Sequence, residues 1–233
     1  MPVLRIDKLI ADSGLYSRSE AAVLLRRGSV TAGGQVIRSG AEKIDTDTVS
    51  VAIDGKPLIY KRFMYIMLNK PQGYVSSTKD EREKTVMELL DDKYVRLGLF
   101  PAGRLDKDAE GLLLLTNDGE LAHRIMSPSG NVVKSYFVEI DGDISEDDIK
   151  TFAQGISLGD GTKCRPAVLE ATPGGAFVIL KEGKYHQVKR MMAARGKRVK
   201  YLRRVAIGGL ELDQQLRPGE YRELNDEILR VFE

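Results

Sequence analysis

The chain contains 233 residues, of which 42% are hydrophobic and 30% are charged. A length of this order allows one large domain or a small domain joined to a medium one, and the apolar fraction excludes disordered and fibrous chains. The 36 Lys and Arg residues nearly balance the 34 Asp and Glu residues, so the formal net charge of +2 identifies no class of partner.

Cysteine and histidine content limits the chemistry further. Cys164 is the single cysteine, and His123 and His186 are the two histidines, which excludes an internal disulfide and a four-ligand structural zinc site. We therefore expect no metal and a reducing compartment. Charged residues interrupt the N-terminal segment and no apolar run reaches membrane-spanning length, so the sequence predicts a cytoplasmic protein without membrane contact. No Walker-type loop or G-x-G-x-x-G turn occurs, so no nucleotide cofactor is expected.

The N-terminal part of the chain predicts a small helical module followed by short strands. Apolar residues recur at helical spacing over residues 5–13. Ser17 and Glu20 form the S-x-x-E pattern of a capping box, which predicts a helix that begins there and ends at Gly28. The strands predicted next are a hairpin over residues 30–37 and a single strand over residues 49–53.

Three short blocks in this part resemble the S4 RNA-binding module. They are Arg5-Ile6-Asp7-Lys8, Ser17-Arg18 and Arg27-Gly28-Ser29-Val30. The resemblance implies that the module binds structured RNA, and it implies no catalytic chemistry. On charge alone, a solvated helix face explains the same basic residues. The RNA contacts predicted here are Arg5, Lys8, Arg18, Arg26 and Arg27.

A short linker at residues 56–62 separates this module from a region in which strands and helices interleave. Because the regular period of a doubly wound sheet is missing, the fold class predicted is α+β, with a mixed, mainly antiparallel sheet flanked by helices. The sequence thus predicts an S4-like domain over residues 1–59 and a larger domain over residues 60–233. In the larger domain we predict strands at 63–68, 111–116 and 132–140, a turn at 69–73, a hairpin at 168–180, and helices at 85–90, 120–126, 145–154 and 185–195.

A charged, glycine-containing stretch, residues 100–111, lies directly before a predicted buried strand. Polar loops at the ends of core strands commonly hold functional residues. An exposed surface loop in which Arg104 pairs with Asp106 explains the same residues. Spacing alone does not decide between these two interpretations.

Several blocks of the chain resemble the ribosomal pseudouridine synthases. Gly103-Arg104-Leu105-Asp106, followed by the block from Glu110 to Gly119, is similar to their catalytic motif. The pair Tyr185-His186 is typical of the branch that acts on small-subunit (16S) RNA, whereas relatives that act on large-subunit RNA tend to have Asn and Arg there. The other matching blocks, in the order of the family, are 68–73, 134–136 and 182–191.

This resemblance implies a pseudouridine synthase fold and an active site. Asp106 is the catalytic aspartate, which must be ionised to attack the sugar or to remove its 2′ proton while the uracil leaves C1′ and rejoins through C5. Because a partly closed pocket disfavours a charged carboxylate, a cation is required nearby. Lys189 stands where the family places that cation, with Arg104 and Arg190 as competitors. Tyr136 matches the tyrosine that stacks on the displaced base.

Residues 181–204 form a strongly basic segment, with ten Lys or Arg and one acidic residue, Glu182. The local net charge of +9 favours a polyanion as the partner, and Tyr185 and Tyr201 suit stacking on bases. A solvated surface is the alternative. The RNA contacts predicted in this segment are Lys184, Tyr185, His186, Gln187, Arg190, Arg203 and Arg204.

Together these features predict a cofactor-free, monomeric RNA pseudouridine synthase. Its predicted substrate is one uridine of small-subunit ribosomal RNA, at the 516-type position of the family, in free RNA or in an assembling particle. Two alternatives stay open, a large-subunit enzyme of the same family and a non-catalytic RNA-binding or ribosome-assembly protein. An RNA glycosidase or nuclease needs a second positioned carboxylate or a metal cluster, and Asp108 and Glu110 match neither arrangement.

Overall fold

The computed structural model describes residues 3–232. Within this range the chain forms two compact units, one of residues 3–64 and 90–99 and the other of residues 65–89 and 100–232. None of the helices described in these residues is long and apolar enough to cross a lipid bilayer.

The first unit contains three helices and short strands, and its hydrophobic core is formed by the first two helices and the strands. Its elements are β1 (Val3–Arg5), α1 (Ile6–Ala11), α2 (Arg18–Arg27), β2 (Val30–Ala32), β3 (Gln35–Val36), β4 (Lys43–Asp45), β5 (Val51–Ile53), β6 (Lys56–Pro57) and α3 (Asp92–Arg96). At the start of α2 the Ser17 hydroxyl accepts from the Glu20 amide, and the Glu20 carboxylate accepts from the Ser17 amide. The helix ends at Gly28, whose φ of 76° is left-handed. The predicted capping box and helix are therefore confirmed.

Two findings in the first unit differ from the sequence prediction. The antiparallel sheet β3-β2-β5-β6 confirms the hairpin and the third strand, but Lys56 and Pro57 pair with β5, so the linker starts later than predicted. Residues 90–99, which include α3, belong to this unit, whereas the predicted division placed them in the larger domain. No helical pattern marked α3, because it is only five residues long.

A nine-stranded sheet forms the centre of the second unit. The strands are β7 (Tyr65–Lys70), β8 (Phe100–Pro101), β9 (Glu110–Thr116), β10 (Lys134–Ile140), β11 (Val168–Thr172), β12 (Gly175–Leu180), β13 (Val199–Ile207), β14 (Leu210–Glu211) and β15 (Tyr221–Glu223). Their order is β11-β12-β10-β13-β9-β7-β15, with β14 on β13 and β8 on β9. β9 and β13 pair in parallel and the other neighbours are antiparallel, which confirms the predicted mixed sheet.

Helices flank this sheet, as the predicted fold class requires. They are α4 (Gly119–Met126), α5 (Glu146–Gln154) and α6 (Gln187–Ala194), with 3-10 helices at Val86–Leu89, Pro128–Gly130 and Asp226–Phe232. The Asp118 carboxylate caps the first turn of α4, and Ser145 with Asp148 forms a capping box on α5. These caps place both helices close to the boundaries that the sequence predicts.

Two boundaries near the site differ from the prediction. β7 continues to Lys70, so Asn69 and Lys70 are buried strand residues and not turn residues. α6 begins at Gln187 and not at Tyr185, because His186 adopts a left-handed backbone conformation with φ 47° and ψ 35°. Tyr185 and His186 therefore lie in a loop that leads into the helix.

Gly111 permits the close approach of two central strands. Its φ of 106° lies in a region that glycine tolerates and other residues avoid. A Cβ atom at this position would collide with the backbone of Arg204 on β13. β9 can therefore lie directly against β13 at its first residues, and this contact fixes the end of the loop that precedes β9.

Candidate active site

A cavity of about 540 Å³ lies beside the loop of residues 102–109, which joins β8 to β9. Its volume is within the range of about 300–1,000 Å³ that is usual for small-molecule sites. The other walls come from β10, β13, the end of α4 and residues 183–188. Among the residues that line it are Arg104, Asp106, Lys134, Tyr136, His186 and Arg204.

Asp106 projects toward two side chains from the start of α6. Its Oδ2 lies 3.4 Å from Lys189 Nζ, and its Oδ1 lies 3.5 Å from His186 Nε2. Lys189 also donates to Asp108 Oδ1 at 2.5 Å, which lowers the pKa of the Asp108 carboxyl. The carboxylate of Asp106 is about a quarter exposed, so a substrate in the cavity can reach it. The loop and the helix thus bring together a carboxylate and a cation that are distant in the chain.

Arg190 and Arg104, the other two candidates for the cation beside Asp106, are placed differently from Lys189. Arg190 forms a salt bridge with Asp160, and its Nη1 donates to the carbonyl of Tyr185. Arg104 lines the cavity with an exposed side chain. Of the three candidate cations, Lys189 is therefore the one that the described part of the chain shows within salt-bridge distance of Asp106.

Lys70 is a buried support for the loop that the sequence reasoning missed. Its side chain is fully buried at the end of β7, and its ammonium donates to the carbonyls of Pro71 (3.0 Å), Asp106 (3.0 Å) and Ala109 (2.9 Å). Burial lowers the pKa of Lys70 to about 8, although the carboxylates of Asp106, Asp108 and Glu110 oppose this shift. The block 68–73 matched the family, but nothing in the sequence showed that its lysine reaches the backbone of the loop.

We expect protein stability to depend on pH through Lys70. Between pH 8 and pH 10.5, the ordinary pKa of lysine, Lys70 keeps its proton in the unfolded chain but has released it in the folded chain. The free energy of unfolding therefore rises with pH in this range. From pH 7 to pH 9.5 the gain is about 2 kcal/mol. Urea unfolding of the wild type and of Lys70→Met measures it as the difference between their pH dependences. The same pH dependence in both proteins would contradict the shifted ionisation.

Arg204 has a different position from the one predicted. We expected an RNA contact, but the residue is 2% exposed. Its Nε donates to the carbonyl of Leu112 at 2.8 Å, and its Nη1 donates to the carbonyl of Arg104 at 3.2 Å. Arg204 therefore ties β13 to β9 and to the loop that carries Asp106, and it is not a surface contact for phosphate.

Tyr136 lies on β10 in the cavity wall. The residue is largely buried, and its neighbours across the sheet are Val178 on β12 and Arg204 on β13. Lys134 lies two residues earlier and therefore projects from the same face. Its ammonium donates to two backbone carbonyls, and burial, together with the charge of Arg204, lowers its pKa. Because Tyr136 lines the cavity, its ring is available to a group that enters.

A buried network holds the segment from Glu182 to Gln187. The Glu182 carboxylate accepts from Gln187 Nε2 at 2.5 Å and from the Arg165 amide at 2.9 Å, and it pairs with Lys184. Gln187 Oε1 accepts from the Lys184 amide at 2.8 Å. Burial favours a raised pKa for Glu182, but these donors outweigh it and lower the pKa. Gln187, predicted as an RNA contact, is buried and supports the segment instead.

The basic segment is not left unopposed in the folded chain. At least six of its ten Lys and Arg residues form salt bridges, and most of the acidic partners come from outside the segment. The salt bridges are Lys184–Glu182, Lys189–Asp106, Lys189–Asp108, Arg190–Asp160, Arg195–Asp147, Arg195–Asp148, Lys197–Asp148 and Lys200–Asp141. The charge of +9 therefore does not by itself require a polyanion.

The remaining predicted RNA contacts are accessible. Lys184, His186 and Arg203 are partly exposed, and Tyr185 is exposed. In the first unit, all five predicted basic contacts are exposed, and Arg5 pairs with Asp7 at 2.6 Å. Within residues 3–232, no three His, Cys, Asp or Glu side chains are close enough to hold a metal ion together.

Comparison with known proteins gives consistent matches. The sequence model of a family described as RNA pseudouridylate synthase matches residues 64–194. An uncharacterized RNA pseudouridine synthase of Bacillus subtilis (strain 168) is 45% identical over 98% of both chains. Ribosomal small subunit pseudouridine synthase A of Escherichia coli (strain K12) is 44% identical over 96% of this chain and 97% of its own. A crystal structure of a pseudouridylate synthase, 37% identical, superimposes with a TM-score of 0.68 over 98% of this chain and 99% of that chain.

Proposed function

Because this chain belongs to the RNA pseudouridylate synthase family and is an RNA pseudouridine synthase, we propose that it converts one uridine of small-subunit ribosomal RNA to pseudouridine. Asp106 is the catalytic aspartate in this proposal. The observation that carries the assignment is the Asp106 carboxylate in the cavity wall, 3.4 Å from Lys189.

The reaction needs one ionised carboxylate and a site that holds the detached uracil. The C1′–N1 bond of uridine breaks, the uracil turns, and a C1′–C5 bond forms. The C5 proton is then lost to solvent and N1 gains a proton. An ionised Asp106 either attacks C1′ and is displaced when C5 bonds to C1′, or removes the 2′ proton to release the base and returns it when the C1′–C5 bond forms. Lys189 supports the charged carboxylate by attraction in either route.

Tyr136 supports the same proposal. Its ring forms part of the cavity wall, where it would stack on the uracil during the rotation. The uridine must first leave its own stack to enter the cavity, as enzymes that act on a base require. Arg104 is exposed and lines the same cavity, and in this proposal it would contact the phosphate of that nucleotide.

Small-subunit RNA is the substrate favoured by the comparisons. The relative from Escherichia coli that covers nearly the whole chain is named for the small ribosomal subunit, and the Tyr185-His186 pair is typical of that branch. We propose the 516-type uridine as the target. The exposed basic residues of the first unit would bind structured RNA as an S4-like module, and the enzyme would act as a monomer without a cofactor.

Tritium release tests this proposal. Small-subunit and large-subunit ribosomal RNA, each labelled with tritium at uracil C5, are incubated separately with the protein without added metal or nucleotide. We expect about one equivalent of tritium to be released from each small-subunit RNA and none from large-subunit RNA. Release from large-subunit RNA alone would indicate the other branch of the family. No release from either RNA, free or in ribosomal particles, would favour a binding protein.

The role of Lys189 gives a further prediction. Replacing Lys189 by Met is expected to lower kcat by about 100-fold, because the carboxylate of Asp106 loses its cation inside the cavity wall. Lys189→Arg keeps a positive charge and is expected to retain most of the activity. Asp108→Asn is the matched control, since it removes the other acidic partner of Lys189 and leaves the pair with Asp106 intact. Equal kcat values for Lys189→Met and the wild type would contradict this role.

A further inference from the structure

Tyr185 and His186 form an aromatic pair at the mouth of the cavity. Their ring centroids are 3.9 Å apart and the rings are inclined by 17°, so the two rings are stacked. Tyr185 is 72% exposed although one of its faces lies on His186. Its other face is therefore open to solvent.

The loop holds this pair in place before any substrate arrives. His186 has a left-handed backbone, which is strained for a residue with a side chain and persists only where its surroundings enforce it. The network of Glu182, Lys184 and Gln187 lies on both sides of the pair, and Arg190 Nη1 donates to the Tyr185 carbonyl at 3.3 Å. None of these contacts involves the Tyr185 ring. A change to that ring therefore keeps these hydrogen bonds, although it removes the stacking on His186.

The pair also touches the site of the proposed chemistry. His186 Nε2 lies 3.5 Å from Asp106 Oδ1, and both residues line the cavity together with Tyr185. When one nucleotide of a strand enters the cavity, the next nucleotide is held at its mouth by the chain that joins them. An open aromatic face at that place suits any base, because every base has a face that can stack.

We propose that the Tyr185–His186 pair is a stacking site for the base next to the target uridine. The inference rests on the proposed function, because it assumes that a uridine enters the cavity. The pair holds the neighbouring base outside the cavity while Tyr136 receives the uracil inside it. Lys184 and Arg190 flank the pair, but each is already paired with a carboxylate, so the contact proposed here is stacking and not charge.

Two substitutions of Tyr185 separate stacking from apolar bulk. Tyr185→Phe keeps the ring, whereas Tyr185→Leu keeps an apolar side chain without an aromatic face. The probes are nine-nucleotide single-stranded RNAs with a central uridine and 2-aminopurine directly before or directly after it. We expect the wild type and Tyr185→Phe to quench 2-aminopurine at one of the two positions, and Tyr185→Leu to lose that quenching. On small-subunit RNA, Tyr185→Leu is expected to lower kcat/KM by roughly 5- to 150-fold, the range for loss of one stacked base.

The outcomes distinguish this site from the proposed function. Tritium release by the wild type, with unchanged quenching and kcat/KM in Tyr185→Leu, would overturn the stacking site and leave the proposed function in place. Absence of quenching by the wild type at both positions would also overturn it. Quenching that depends on the Tyr185 ring, without tritium release from any ribosomal RNA, would support the stacking site and reject the proposed reaction. Circular dichroism of both variants checks that the fold is unchanged.

Discussion

Replacing Asp106 by Asn is expected to lower tritium release from small-subunit RNA by at least about a thousandfold. The amide has nearly the shape of the carboxylate, but it neither attacks C1′ nor removes a 2′ proton at neutral pH. The contacts that hold the loop use the backbone carbonyl of residue 106 and are kept in this variant. RNA binding, measured by filter retention, is therefore expected to stay within a few fold of the wild type.

Asp108→Asn is the control for this loss, because Asp108 lies two residues away on the same loop. Its side chain is 71% exposed and contacts Lys189 from the solvent side. We expect Asp108→Asn to change kcat by less than about tenfold, since exposed ion pairs contribute little. A large loss in Asp108→Asn together with activity in Asp106→Asn would exchange the roles of the two carboxylates.

Replacing Lys70 by Met is expected to lower kcat by about 100-fold with little change in KM. The ammonium of Lys70 holds the carbonyls of Pro71, Asp106 and Ala109, and Met has no donor for them. Displacement of a catalytic group by about 1 Å is enough to cause a loss of this size. Single-turnover tritium release at saturating enzyme measures the chemical step apart from RNA binding.

Lys79→Met is the matched control for Lys70→Met. Lys79 belongs to the same unit but is exposed, so the same substitution there is expected to leave kcat unchanged. The stability of Lys70→Met at pH 7 is expected to fall less than its activity. The variant leaves carbonyls without a donor, but it also removes a buried charge whose lowered pKa reports a cost of burial. Wild-type kcat in Lys70→Met would show that the loop needs no support from β7.

Local patterns in the sequence predicted several elements closely. Ser17 with Glu20 and Ser145 with Asp148 mark helix starts, because a capping box satisfies backbone amides within four residues. The paired strands on either side of residues 173–174 confirm the predicted hairpin for a similar reason. Errors occurred where a local pattern conflicted with a distant contact. Asn69 and Lys70 resemble turn residues, but the sheet extends through them because the loop carbonyls supply partners for the buried ammonium.

The charge of the basic segment is a second case in which a local pattern conflicted with distant contacts. Counting along residues 181–204 finds ten cations and one acid, and this count predicted a surface that needs a polyanion. In the folded chain, carboxylates such as Asp141, Asp148 and Asp160 lie against these cations. Salt bridges between residues far apart in the chain follow no sequence period, so charge counting did not detect them.

The sequence by itself determined the family to which the chain belongs and the mixed α+β fold, because contiguous motifs and short-range periodicity carry both. It also singled out Asp106, since the motif around that residue is continuous. Only the tertiary structure decided that Lys189 faces Asp106, that Lys70 and Arg204 donate to backbone carbonyls of the loop, and that Tyr185 presents an open ring beside the cavity. Each of these contacts depends on how distant segments or a strained loop are placed by the sheet, and no local pattern of residues specifies that placement.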